Sequence, residues 1–286
     1  METQSPLIKS GWLRSLLFFF SFFIIAALFN IISIAIASVF SIYGFEEFLS
    51  DPELIMRNKI MMLMMVSQLA GVLFTVWIFQ KFVNRESFTS IGLRFKGYKN
   101  DLYKGLLAGA VLISIGFITL IILNLISVGL TYFSAYDQVF YLILFAVVSL
   151  NEEIAIRGYI LQNLSRSFNK YVALAISSLL FMTMHLGNPN IDILPILNLF
   201  LAGIFLGVYS IHKNNLWFPI GAHLTWNYLQ GPIYGFEVSG NKINSLFEQE
   251  LNGHDILTGG NFGYEGSIIL TVFLIAGIYL MDRYFR

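Results

Sequence analysis

Eight mostly apolar runs dominate the chain, at about 15–42, 60–82, 103–128, 137–163, 171–187, 194–212, 216–232 and 266–284. A helical crossing of a bilayer needs roughly 20 such residues. The pattern therefore predicts an all-α polytopic membrane helix bundle of about eight transmembrane helices. The fifth and seventh runs are short and carry polar residues, so seven spans fit as well as eight. Charged residues make up only 12% of the 286, and 57% are hydrophobic. A soluble domain carries about 25% charged residues. The deficit extends over the whole length, so residues 1–286 read as a single transmembrane domain rather than a soluble domain with one anchor.

Lys9 and Arg14 precede LLFFFSFFIIAALF, which resembles the start of a signal peptide. The apolar run continues through IISIAIASVFSIY, well past the roughly 7–15 residues of a signal core, so a retained first span is expected. The chain has zero net charge and no basic footprint for nucleic acid. It has no cysteine, which excludes disulfides, thiolate zinc sites, iron–sulfur clusters and cysteine nucleophiles.

Lysine and arginine set the expected orientation. With eight spans and a cytoplasmic N-terminus, 13 of the 17 basic residues fall on the cytoplasmic side. Arg57, Lys59 and Lys242 fall outside, and Arg157 lies within the membrane. Both termini are then cytoplasmic. The outer loop over 233–265 is acidic, and its GFEVSGNK and LTGGNFGYEGS read as glycine-rich turns. Gly203 and Gly207 form a small-xxx-small pair suited to close helix packing.

The stretch NEEIAIRGYI (151–160) puts three ionisable groups into an apolar run. Each costs at least about 2.5–3.5 kcal/mol at mid-bilayer. Glu153 and Arg157 are four apart and can pair. Taken alone, that pair is equally well a self-neutralising helix staple. Glu152 points about 100° away and needs another partner. His185 follows Phe181 at i, i+4 in LLFMTMHLG, and His223 and Asn227 share a helical face in GAHLTWNYLQ. A lone histidine in an apolar helix is more often a packing residue. Depth argues otherwise here. Glu152 lies ~17 Å and His185 ~21 Å from the cytoplasmic ends of their spans, and His223 and Asn227 lie ~10 and ~16 Å in. Three spans thus bring polar groups to the middle of the bilayer, as a shared polar cavity requires.

A carboxylate among imidazoles can hold and deprotonate a water, while the remaining groups polarise a carbonyl and stabilise its oxyanion. That chemistry is peptide hydrolysis without a covalent nucleophile and without a cofactor. Zinc is the alternative, with Glu152, His185 and His223 as ligands, although the H-E-x-x-H pattern is missing.

These residues resemble the motifs of a known family. EEIAIRG fits EExxxR, FMTMH fits FxxxH and HLTWN fits HxxxN/D, in the same order. SIGLRF, GIFLGVY and LWFPIGAH are also similar to family segments. The family is that of the CPBP intramembrane proteases: type II CAAX prenyl endopeptidases and bacteriocin-processing or immunity-associated, Abi-like proteins. The resemblance covers a core over residues 85–232 and the flanking spans by topology only. It implies an eight-span fold in a bacterial cell membrane and an intramembrane endopeptidase. Its partners would be the lipid bilayer and a peptide substrate, prenylated or bacteriocin-like. By motif, Glu152 activates the water with help from His185, His223 and Asn227 form the oxyanion site, and Glu153 and Arg157 support them. A non-catalytic immunity or scaffold protein of the same fold is the second reading. A transporter is the third, disfavoured by the absence of an internal repeat and the few polar residues between 103 and 128.

Overall fold

The computed structural model describes residues 5–39, 58–131 and 133–286. The expected end of the first span at 42 and the outer residue Arg57 lie outside them. The fold is mostly helical. The long helices are α1 (Gly11–Val39), α2 (Asn58–Ile78, running on as a π-helical segment Phe79–Asn84), α3 (Lys99–Ile122), α4 (Ala135–Glu153) and α5 (Lys170–Thr183). They continue with α6 (Ile193–Lys213), α7 (Trp217–Tyr228), a single turn α8 (Asp255–Thr258) and α9 (Ile268–Phe285). Two strands, β1 (Ile126–Leu130) and β2 (Phe247–Leu251), pair antiparallel, from Ile126 opposite Leu251 to Leu130 opposite Phe247.

Among the described residues, six helices are long and apolar enough to cross a membrane: α1, α2, α3, α4, α6 and α9. Their outward faces carry large apolar side chains such as Ile24, Ile31, Leu107, Ile118, Val272 and Ile275. An exposed apolar surface of this extent needs lipid to cover it. α5 and α7 occupy the fifth and seventh runs and are shorter, 14 and 12 residues.

Helix starts follow local chemistry. Side-chain oxygens of Ser134, Asn169, Asp192 and Ser267 accept from first-turn N–H groups of α4, α5, α6 and α9. The third run differs from its expected helix over 103–128. α3 stops at Ile122, Asn124 turns left-handed with φ 55°, and Ile126–Leu130 becomes β1. The β-branched residues there find a partner strand in the 233–265 loop, which sequence periodicity cannot reveal.

α7 lies between α3 and α4, while α6 packs on α5 and α9. The α3–α7 crossing is close because Gly105 and Gly109 face the carbonyls of Phe218 and Ala222. This GxxxG pair joins the expected Gly203 and Gly207, which let α6 approach Ser178 and Leu174 of α5. At one end of the bundle the helix termini are tied together. Leu7 N donates to Val83 O at 2.8 Å, Arg166 pairs with Glu86 at 2.7 Å, and His212 meets Asp282 at 2.9 Å. The sheet follows the opposite end of α3, and the 233–265 loop packs back onto α3, with Tyr264 against Gly116 and with Tyr234 and Phe236 against Phe117.

Candidate active site

From Asn151 onward α4 is buried almost all round, as suits a helix in the centre of a bundle. Its Glu153 is followed by a π-helical segment, Ile154–Ile160, that contains Arg157 and is wholly buried. Such wide turns recur at functional sites.

Glu153 and Arg157 pair as their spacing predicts. Arg157 Nη1 donates to Glu153 Oε1 at 2.9 Å, and both side chains are 0% exposed. The guanidinium also donates to the carbonyl of Gly203 at 3.0 Å and lies 4.4 Å above the Phe181 ring. Two charges, a carbonyl and an aromatic face thus answer one another.

Glu152 faces the other way, into a cavity of about 370 Å³. His185, His223 and Asn227 line the same cavity. The structure therefore brings together all four residues expected at one site. Glu152 Oε2 lies 4.0 Å from His185 Nε2 and 3.8 Å from His223 Nε2. Both separations exceed a direct hydrogen bond. Oε2 has no hydrogen-bond partner among the described residues. One wall of the cavity is apolar and includes Met61, Met65, Leu144 and Val148.

The two imidazoles are oriented alike. His185 Nδ1 is 2.9 Å from the carbonyl of Phe181, which can only accept. Its Nδ1 therefore carries a proton, and Nε2 is turned to Glu152. His185 itself sits two residues past the end of α5, in a turn rather than within the expected helix over 171–187. His223 Nδ1 is 2.9 Å from Glu153 Oε1, so it too is the donor, and its Nε2 also faces Glu152. This His223–Glu153 bond is the feature that sequence reasoning missed. Pairing by helical spacing assigned Glu153 to Arg157 alone, although a histidine has two nitrogens to satisfy. With Nδ1 protonated, a neutral imidazole offers a lone pair at Nε2, and an imidazolium offers a proton. The cluster can accept a proton at Glu152 and accept or donate one at either histidine.

A second carboxylate, Glu265, also borders the cavity. It belongs to the 233–265 loop. The loop folds back through left-handed glycines. Gly263 has φ 89°, and a Cβ there would overlap the carbonyl of Glu237. No periodic pattern marked Glu265. Its one sequence signal is a carboxylate between glycines directly before the last apolar run.

The zinc alternative names Glu152, His185 and His223. No group of three His, Asp or Glu among the described residues has the geometry to hold a metal ion.

Compared with known families, residues 134–229 fit the family described as type II CAAX prenyl endopeptidase Rce1-like. Searches of curated proteins and of solved structures returned no match. The matched segment runs from the start of α4 to the end of α7 and contains all three motifs. The matched family is one of membrane proteases, which implies a peptide substrate and a membrane setting. With six apolar helices of spanning length, the chain is a multi-pass membrane protein. The match supports placing this chain in the CPBP intramembrane protease family.

Proposed function

We propose that the protein is an intramembrane endopeptidase that hydrolyses a peptide bond with a water activated by Glu152. The observation that carries the reading is the cavity face of Glu152, with the Nε2 atoms of His185 and His223 at 4.0 and 3.8 Å from its Oε2. Gaps of that length suit one water reaching both carboxylate and imidazole. Glu152 takes the water's proton as the oxygen attacks the substrate carbonyl, and His185 holds the water in line. His223 Nε2–H and the Asn227 amide donate to the oxyanion that forms. Glu152 then passes its proton to the leaving amine. Glu153 and Arg157 fix the ring of His223 from behind.

The substrate is a peptide that reaches the cavity within the bilayer, with a lipid-bearing or bacteriocin-like segment as the expected class. The basic ends of the helices face the cytoplasm in this reading. The test is cleavage in liposomes by purified protein and its Glu152→Gln variant. Undiminished turnover in the variant would sink the glutamate mechanism. A non-catalytic scaffold predicts no cleavage by either protein. A transporter predicts substrate flux in the same liposomes.

A further inference from the structure

Glu265 is 7% exposed, borders the cavity and has no part in the proposed hydrolysis. Its carboxylate is held by three donors. Ser239 N and Ser239 Oγ reach Oε2 at 2.8 and 2.7 Å, and Trp226 Nε1 shares its proton between Gln230 Oε1 at 2.9 Å and Glu265 Oε1 at 3.2 Å. The backbone and indole N–H groups can only donate, so each oxygen of the carboxyl group acts as an acceptor. All three partners are neutral. The carboxylate has no cationic partner among the described residues, unlike Glu153 with Arg157. A cation brought into the cavity beside it would supply the counter-charge that the surrounding side chains do not.

Two further observations point to where that cation comes from. Trp226, which holds Glu265, precedes Asn227 on α7, and both side chains border the cavity. The carboxylate therefore borders the same chamber as Glu152 and Asn227. A second cavity of about 540 Å³ shares Ile243 with the first and is lined by Asp137, Glu237 and Glu248 against Lys242 alone. An acidic cleft thus adjoins the chamber that Glu265 faces.

We propose that Glu265 is a specificity-determining residue, which binds a lysine or arginine side chain of the peptide substrate in the chamber that Glu152 faces. The adjoining acidic cleft attracts the same basic segment on its way in. A charge-assisted hydrogen bond made in a desolvated pocket is worth at least about tenfold in affinity. The proposal rests on the protease reading for its use of the site, but binding tests it separately.

The experiment uses the full-length protein in nanodiscs and fluorescent, end-blocked octapeptides that differ at one position, lysine, leucine or glutamate. Binding is measured on the Glu152→Gln background with Glu265 intact, with Glu265→Gln and with Glu265→Asp. Cleavage is followed in parallel with Glu152 intact. The expected result is a lysine-to-leucine affinity ratio of about ten or more at one peptide position. The ratio falls towards one in Glu265→Gln and is retained in Glu265→Asp. Thermal unfolding of each variant identifies any that fail to fold. Equal affinity for lysine and leucine peptides at every position in the Glu265-containing protein would overturn the proposal without need of a variant. So would a lysine preference that survives Glu265→Gln. A lysine preference without any cleavage by protein that retains Glu152 would uphold this site and overturn the protease reading instead.

Discussion

Glu152 and Glu153 are neighbours in sequence, yet their replacement by glutamine is expected to have opposite consequences. Glu153 Oε1 accepts from Arg157 and from His223, both at 2.9 Å, and the Glu153 and Arg157 side chains are 0% exposed. Glu153→Gln keeps an acceptor oxygen and removes the counter-charge. Breaking a buried ion pair costs about 3–5 kcal/mol. Arg157 keeps its bond to Gly203 O at 3.0 Å and its contact with Phe181, so the lower end, about 3 kcal/mol, is expected. That is about two orders of magnitude in the unfolding equilibrium. Glu152 is 18% exposed by its side chain, and its nearest imidazole nitrogen is 3.8 Å away. Glu152→Gln should change stability by less than about 0.5 kcal/mol while cleavage is lost. Unfolding in mixed detergent micelles, followed by tryptophan fluorescence, measures both variants on one scale. The double variant Glu153→Gln, Arg157→Met should lose less than the sum of its parts, with a coupling of at least about 1 kcal/mol. Equal stability losses at 152 and 153, or strict additivity with Arg157, would refute the division of labour between the two carboxylates.

Three further outcomes are expected. Gly109→Leu should destabilise by about 1–3 kcal/mol or prevent folding, because any Cβ there meets the Ala222 carbonyl and the Thr225 hydroxyl; unfolding in the same micelles measures it. The side-chain bonds from Arg166 hold the Glu86 carboxyl below its ordinary value of 4.5. Stability from that pair is present above the unfolded carboxyl's pKa and is lost as pH falls through the lowered folded value. Both side chains are about one-third exposed, so the effect should stay below about 1 kcal/mol. The difference in unfolding temperature between the protein and Glu86→Gln should shrink between pH 6 and pH 3. Chelator-treated protein should keep its cleavage activity when elemental analysis finds no zinc, and stoichiometric zinc that tracks activity would instead assign Glu152, His185 and His223 as ligands.

The apolar runs made most of the fold legible, because lipid demands long apolar helices and the chain states their lengths directly. The failures are local and have local causes. Residues 123–128 are as apolar as the helix before them, yet Asn124 turns left-handed and β1 takes a strand partner more than a hundred residues away. No window along the chain contains that partner. The apolar run over 171–187 predicts His185 within a helix, but it stands beyond the helix end, where the Phe181 carbonyl fixes its ring. The Glu153–Arg157 spacing was readable because a helix makes it local. Glu265 was not, since a loop reaching back over the bundle has no period from which to read its direction.

Glu153 is thus more than a neutral staple in the proposed reaction, and His223 is the reason. A histidine free to choose its tautomer could present either a lone pair or a proton to the cavity. Glu153 takes the Nδ1–H at 2.9 Å and removes that choice. A neutral His223 then has only a lone pair to offer at Nε2, so donation to an oxyanion requires the ring to carry both protons. Two carboxylates stand on either side of it, Glu153 at Nδ1 and Glu152 beyond Nε2 at 3.8 Å. Arg157 is bonded to the same Glu153 oxygen. The EExxxR motif therefore places both its glutamates, and through Glu153 its arginine, around one imidazole. In the proposed reaction the first glutamate handles the water. The second, held by the arginine, fixes the tautomer of the histidine opposite and so decides which of its nitrogens faces the developing charge.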